Sequence, residues 1–336
     1  MSDLNSIART LVVPGKGILA ADWSFGTIKK QFSKIGIEST EENRRSYREM
    51  FFTTSGIEEY ISGVIFFDET VYQKTEENVS FPQVLEKKGI IPGVRVDEGS
   101  EPFKGSSNER VTEGIDTLST RLSKYTKENL KFTKWRGVFL IGDGLPTGEL
   151  IRKNSQLLAK FAKLSQEKGL VPIVEPEVLL DGDHEMAVCE EVTKKAFSNV
   201  FSELEKEKVD LKGILLKPNM VLPGKDNPKK VSPNEIASAT LRVLAKTVPE
   251  EVPGIVFLSG GQSPEEATLN LNAINSQGSY PWELSFSFAR ALQEPALMSW
   301  KGKPENVTMA KEAFYKRARL NSLARQGKYK PEMEKN

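Results

Sequence analysis

The sequence predicts a single (β/α)8 barrel with an N-terminal lead and a C-terminal helical extension. Short apolar runs that stop at polar residues recur eight times, and amphipathic helical patterns fill most of the gaps between them. The length of 336 residues fits one barrel of roughly 250 residues plus extensions. Strands alternating with helices imply a parallel sheet, and eight such units favour closure over an open doubly wound sheet. No G-x-G-x-x-G or Walker loop follows the first run, which weakens the open, nucleotide-binding alternative. One domain is expected over 1–336, with the barrel core at about 17–300, a lead at 1–16 and a charged extension from about 304 to 336.

In chain order, the strand candidates are "GILAAD" (17–22), "SGVIFFDE" (62–69), "IIPGVRVD" (90–97), "FTKWRGVF" (132–139), "LVPIVEPE" (170–177), "GILLK" (213–217), "GIVFLSGG" (254–261) and "LSFSFAR" (284–290). The sixth must stop at Pro218, because proline has no N–H to give to a ladder. Ser39 with Glu42, and Ser263 with Glu266 and Pro264 between them, have the spacing of capping boxes at helix starts. Val188, Val192, Ala196, Phe197, Val200, Phe201 and Leu204 repeat at helical period.

Composition removes several function classes. The 47 basic and 46 acidic residues nearly cancel, at a formal charge of +1, so neither nucleic acid nor a charged membrane surface is an expected partner. Cys189 is the only cysteine, so no intrachain disulfide can form. The N-terminal stretch has no secretory pattern, and no run reaches the about 18 apolar residues of a membrane helix. A cytoplasmic location is expected. His184 is the only histidine, which argues against multi-histidine zinc sites and His-based hydrolases; it sits among turn residues in "DGDHEM", where a surface or capping role is expected. No metal and no cofactor are expected.

The polar residues at the strand ends carry the chemistry. Residues two apart in a strand share a face, so Lys134 pairs with Arg136 and Glu175 with Glu177, while Asp22, Arg95, Asp97, Ser259 and Arg290 close other runs. Alone, Lys217 could be a rim lysine with its stem on the core edge. Together these ends converge on one barrel mouth, where unpaired charges call for a ligand. A lysine there attacks a carbonyl once neutral, which Lys134 as a neighbouring cation would favour. Imine formation needs a proton donor and acceptor, such as Glu175 with Glu177 beside it. Asp22 could then take a hydroxyl proton and drive carbon–carbon cleavage. Ser259, Gly260 and Gly261 with Arg290 fall after the seventh and eighth strands, a common phosphate seat in barrels; Ser24, Thr27 and Arg95 could hold a second phosphate, although Ser24 and Thr27 also suit a helix cap.

At this point the chain resembles the class I, Schiff-base fructose-bisphosphate aldolases. The similarity runs from "KGILAAD" through "TEENRRSYREMFFT", "FTKWRGVF", "PIVEPEVLLDGDH", "LLKPNMVLPG" and "FLSGGQSPEEA" to "FSFARALQ" and "SLARQGKY". The resemblance implies reversible cleavage of fructose 1,6-bisphosphate in glycolysis and gluconeogenesis, with Lys217 forming the imine and Glu175 as its main acid and base. Asp22, Lys134 and Glu177 would assist, and Arg136 would help bind substrate. Ser259, Gly260 and Arg290 would hold the first-carbon phosphate, while Ser24, Thr27 and Arg95 would face the sixth-carbon phosphate. A homotetramer is suggested on the same ground. A Schiff-base aldolase for another ketose phosphate, or a silent barrel scaffold, are the alternatives. Four departures stand out: Trp23 where the family often has glutamate, Arg95 where it often has lysine, Ala289 for a frequent glycine, and an end at Asn336 without the tail and terminal tyrosine of many members. The last leads to the expectation that protonation of the enamine left after cleavage is slow.

Overall fold

The computed structural model describes residues 3–106 and 108–335; the ends of the expected lead and extension, Met1, Ser2 and Asn336, and also Ser107, lie outside the described residues. Eight parallel strands close into a TIM-type barrel: β1 (Gly17–Ala21), β2 (Ile61–Phe66), β3 (Ile91–Arg95), β4 (Phe132–Leu140), β5 (Val171–Leu179), β6 (Leu215–Leu216), β7 (Gly254–Phe257) and β8 (Glu283–Phe288). Each strand pairs with the next, and β8 returns to β1. All eight apolar runs are therefore barrel strands. β6 has two residues because Pro218 follows Lys217, whose own N–H still donates to Val174 O at 2.8 Å.

The two-residue alternation sorts side chains between two cores. Ile18, Ala20, Ile65, Phe132, Val171, Ile173, Leu215 and Val256 fill the barrel interior. Their neighbours along the strands, including Leu19, Val64, Trp135, Val174 and Leu216, pack outward with the helices. Trp135 is fully buried and stacks on Phe161 of the helix Gly148–Glu167, with ring centroids 5.7 Å apart. Gly93 is required inside, since a Cβ there would lie 2.5 Å from the Phe132 ring. Burial of a side chain such as Phe132 is worth roughly 2–3 kcal/mol.

The lead is more than a preamble. Residues Asp3–Leu11 form a helix whose Ala8 and Leu11, with Val12, join the interior cluster. At the other end of the chain, Arg325 of the helix Val307–Arg325 donates to the carbonyls of Val12, Val13 and Lys16 and pairs with Glu283 at 2.8 Å. Tyr329 is buried and donates to Glu334 Oε1 at 2.9 Å, so it anchors the extension.

Two local expectations are corrected, and one element was not foreseen. The helix Glu41–Phe52 is capped by Thr40, which accepts from Asn43 N at 3.1 Å, because Arg44 holds the carbonyl of Ser39 outside the helix. A small antiparallel hairpin, Ser100–Pro102 with Arg110–Thr112, follows β3 and has no apolar run to announce it. His184 does not cap the helix Met186–Lys206, whose cap position is Glu185. The backbone of His184 instead braces a neighbouring loop, its carbonyl accepting from Gly224 N at 2.8 Å. The box Ser263–Glu266 forms with both bonds in place, as does a second, Ser232–Glu235.

Candidate active site

Following the interior face up each strand leads from aliphatic to ionic side chains. Ile18 and Ala20 lead to Asp22, Phe132 to Lys134 and Arg136, Val171 and Ile173 to Glu175 and Glu177, and Leu215 to Lys217. These residues line a cavity of about 210 Å³ at the carboxyl ends of the strands, together with Trp23, Ser24, Thr27, Arg95, Ser259, Gly260 and Arg290.

Four of them form one buried chain of ion pairs. Lys134 Nζ lies 2.6 Å from Asp22 Oδ2 and 2.9 Å from Glu175 Oε2, and Lys217 Nζ lies 2.9 Å from Glu175 Oε1. None of the four is more than 6% exposed. Burial pushes both carboxyls up, but the cations win: Lys134, Lys217 and Arg95 hold Asp22 at about 2, and Lys134, Lys217 and Arg136 hold Glu175 at about 2. Burial also works against the Lys134 ammonium, and Asp22 and Glu175 on either side overturn it and raise its pKa. Lys134 is thus a cation balanced by two carboxylates, beside Lys217's partner Glu175.

The other cations are mostly paired as well. Arg136 bonds Glu177 through Nε, and Arg95 reaches Asp97 Oδ1 through Nε at 2.8 Å and Nη2 at 2.5 Å. The expectation of unpaired charges crowding the mouth is therefore corrected: residues two apart or on adjacent strands neutralise each other. Arg290 differs. Its Nη2 donates to the carbonyl of Gln262 at 2.6 Å, and among the described residues it is the one cavity-lining cation without a carboxylate partner. Arg290 also opens the helix Arg290–Trp300, beside Ser259, whose Oγ accepts from Ala291 N at 3.5 Å. A guanidinium lacking a counter-ion, a hydroxyl and a helix N-terminus make an anion seat.

A family model described as fructose-bisphosphate aldolase class-I matches residues 3–336. The chain is 50% identical over 329 residues to fructose-bisphosphate aldolase C of Rattus norvegicus, covering 97% of this chain and 91% of that one. It is 49% identical to fructose-bisphosphate aldolase 4, cytosolic, of Arabidopsis thaliana, covering 98% and 84%. Among solved structures, the aldolase of Plasmodium falciparum, in a complex with TRAP and a small-molecule inhibitor, superposes with a TM-score of 0.96 at 48% identity, covering 97% and 95%. The chain belongs to the class I fructose-bisphosphate aldolases. It is accordingly a carbon–carbon lyase, and its substrates are sugar phosphates.

Most of the residues singled out in the sequence meet around this aldolase cavity; Gly261 does not line it. Gly261 has φ +75° and packs where a Cβ would lie 2.7 Å from Leu180, facing an adjoining cavity. Ser24 caps the helix Phe25–Ser33 by accepting from Thr27 N, while both side chains also border the cavity. Sequence reasoning passed over Leu258 and Ser287, which also line it. Ser287 sits two residues before Ala289 in "LSFSFAR", so strand alternation would have placed it. Asn219 was missed too: it is buried, accepts from Val178 N at 2.9 Å and donates to the carbonyl of Met220 at 2.9 Å, fixing the loop after Lys217. No helix among the described residues is long and apolar enough to cross a membrane.

The depressed carboxyls give a stability prediction. Asp22 and Glu175 have ordinary values of 3.8 and 4.5 and folded values of about 2, so the unfolded chain binds more protons between these limits. Their contribution to stability is present above pH ~4.5 and is lost as the pH falls through about 2. The urea midpoint should fall across this window, and Asp22→Asn should flatten the fall. An equal slope in the variant would show that Asp22 is not held low.

Proposed function

We propose that this aldolase cleaves fructose 1,6-bisphosphate reversibly to dihydroxyacetone phosphate and glyceraldehyde 3-phosphate through an imine on Lys217, as a glycolytic and gluconeogenic enzyme of the cytoplasm. The observation that carries this reading is the ion-paired chain Asp22–Lys134–Glu175–Lys217, which puts a carboxylate 2.9 Å from the nucleophile. The Lys217 ammonium passes a proton to Glu175, and the amine adds to the ketose carbonyl. Because Lys217 is one of the cations that hold Glu175 low, its neutralisation raises the proton affinity of Glu175 just when that carboxyl must carry a proton. Glu175 returns the proton to the carbinolamine hydroxyl, water leaves, and a protonated imine remains. Asp22 then takes the proton of the fourth-carbon hydroxyl. The bond between the third and fourth carbons breaks with its electron pair passing to the imine, which releases the aldehyde and leaves an enamine. Protonation at the third carbon and hydrolysis free dihydroxyacetone phosphate.

In this reading Lys134 and Glu177 position the acid and the substrate, Arg136 contacts the sugar, and one domain performs the whole reaction. A homotetramer is the proposed assembly. Nothing in the site favours a silent scaffold. The reading is tested by borohydride reduction in the presence of dihydroxyacetone phosphate, which should fix label on the peptide containing "LLKPNM"; label on another lysine alone would sink it.

The two phosphate seats separate by substrate. A charge-assisted hydrogen bond to phosphate is worth about 1.5–3 kcal/mol, so Arg290→Ala should lower kcat/KM roughly 10- to 150-fold for both fructose 1,6-bisphosphate and fructose 1-phosphate. Arg95 shares its charge with Asp97, so Arg95→Ala should cost about tenfold or less, and only with the bisphosphate. Equal losses for both substrates in the Arg95 variant would contradict its placement.

A further inference from the structure

A second cavity, of about 430 Å³, is lined by the helix Glu41–Phe52 and by residues between Trp300 and Lys311. Its apolar wall includes Met50 and Trp300, and its charged residues are Glu49, Glu76 and Lys311. Both carboxylates lie against one cation, Arg45, which Glu42 also shares. Glu49 pairs with Arg45 Nη1 and accepts from Glu76 N at 3.1 Å, while Glu76 lies 3.6 Å from Arg45 Nη2 and is 80% exposed in its side chain. Lys311 is half-buried, with neither an ion-pair partner nor a hydrogen-bond acceptor for its ammonium among the described residues. Burial lowers the pKa of this ammonium, against the attraction of Glu49 and with the repulsion of Lys88. A partly desolvated cation beside apolar walls is matched by an anion carrying an apolar body.

A chain of ring contacts runs from this cavity to the active site. Trp300, which lines it, lies 5.5 Å from the buried Tyr47, centroid to centroid. Tyr47 in turn stacks on Trp23 at 6.1 Å and 15°, and Trp23 lines the catalytic cavity beside Ser24 and Thr27. Phe32 and Phe51 hold Tyr47 edge-on at 5.4 and 4.8 Å. A shift of Trp300 cannot be absorbed in this close-packed cluster without moving its neighbours.

We propose that this cavity is a regulatory site for a small carboxylate with an aromatic body, held by Lys311 against Trp300 and linked to substrate affinity through Tyr47 and Trp23. The proposal does not depend on the imine chemistry. The probe is 2-naphthoate, with 2-naphthalenemethanol as its uncharged counterpart, titrated calorimetrically into the full chain with the catalytic cavity saturated by a hexitol 1,6-bisphosphate, which has no carbonyl to be attacked. One 2-naphthoate should bind per chain, Lys311→Met should weaken it at least tenfold, Lys311→Arg should retain it, and the alcohol should bind wild type no better than the acid binds Lys311→Met. Bound 2-naphthoate should change the KM for fructose 1,6-bisphosphate about fivefold or more, the scale of an ordinary coupling, while Lys311→Met keeps the basal rate and loses the response. Displacement by the hexitol bisphosphate, binding indifferent to Lys311→Met, or saturating binding that leaves KM unchanged would each overturn the proposal.

Discussion

Lys217→Met should abolish cleavage of fructose 1,6-bisphosphate, with kcat lower by roughly 10⁵- to 10⁶-fold, the scale on which enzymes lose activity when a covalent nucleophile is removed. The thioether fills the space of the lysine stem in a position that is 3% exposed, so the barrel should keep its fold and its thermal transition. Glu175 retains Lys134 at 2.9 Å, so the variant does not strand a carboxylate without a cation. Lys217→Arg sharpens the test, because guanidinium keeps the positive charge yet is not deprotonated in a protein. If the lysine served only as a cation for a phosphate or for Glu175, the arginine variant would keep a large part of the activity. Under imine chemistry it should be as inactive as the methionine variant, and borohydride should label neither. Turnover within tenfold of wild type in either variant would end the assignment of Lys217 as nucleophile.

The barrel was legible because its signal is one-dimensional. Each strand is an apolar run with an end, and in parallel sheets covered on both faces such runs are nearly continuous. The catalytic face was legible for a related reason: the two-residue period that puts Phe132 inside also puts Lys134 and Arg136 there, and the same holds from Val171 to Glu175 and Glu177. What stayed hidden depends on contacts between distant segments. Pairing of Lys134 with Asp22 and of Lys217 with Glu175 joins residues from separate strands, and spacing within one strand is silent about it. The pair Arg95–Asp97 is different, since both lie two apart on one face, and alternation alone could have foreseen it. Gly261 was assigned to the phosphate seat from a short glycine pattern, whereas its side of the loop is set by the turn that gives it φ +75°. The hairpin at Ser100–Thr112 and the helical plug at Asp3–Leu11 lacked a strand-like or periodic signature strong enough to separate them from loop.

Glu175→Gln should slow imine formation by about 100- to 10,000-fold, the usual contribution of a positioned acid and base. Glutamine preserves the shape and one acceptor oxygen between Lys134 and Lys217, and it removes the one carboxylate paired with the Lys217 ammonium among the described residues. The substitution thus cannot slow the attack by binding the ammonium more tightly. A slow reaction in the variant therefore reports on proton transfer. The measurement is single-turnover: enzyme in excess over dihydroxyacetone phosphate, quenched with borohydride at successive times, because only the imine is reduced and the carbinolamine is not. Labelling of Lys217 should reach the wild-type endpoint at the reduced rate, and the fold should be intact since Lys134 keeps Asp22 at 2.6 Å. Labelling at the wild-type rate would move the proton to Glu177 or Lys134. A lower endpoint at the wild-type rate would make Glu175 a residue that stabilises the finished imine without carrying its proton.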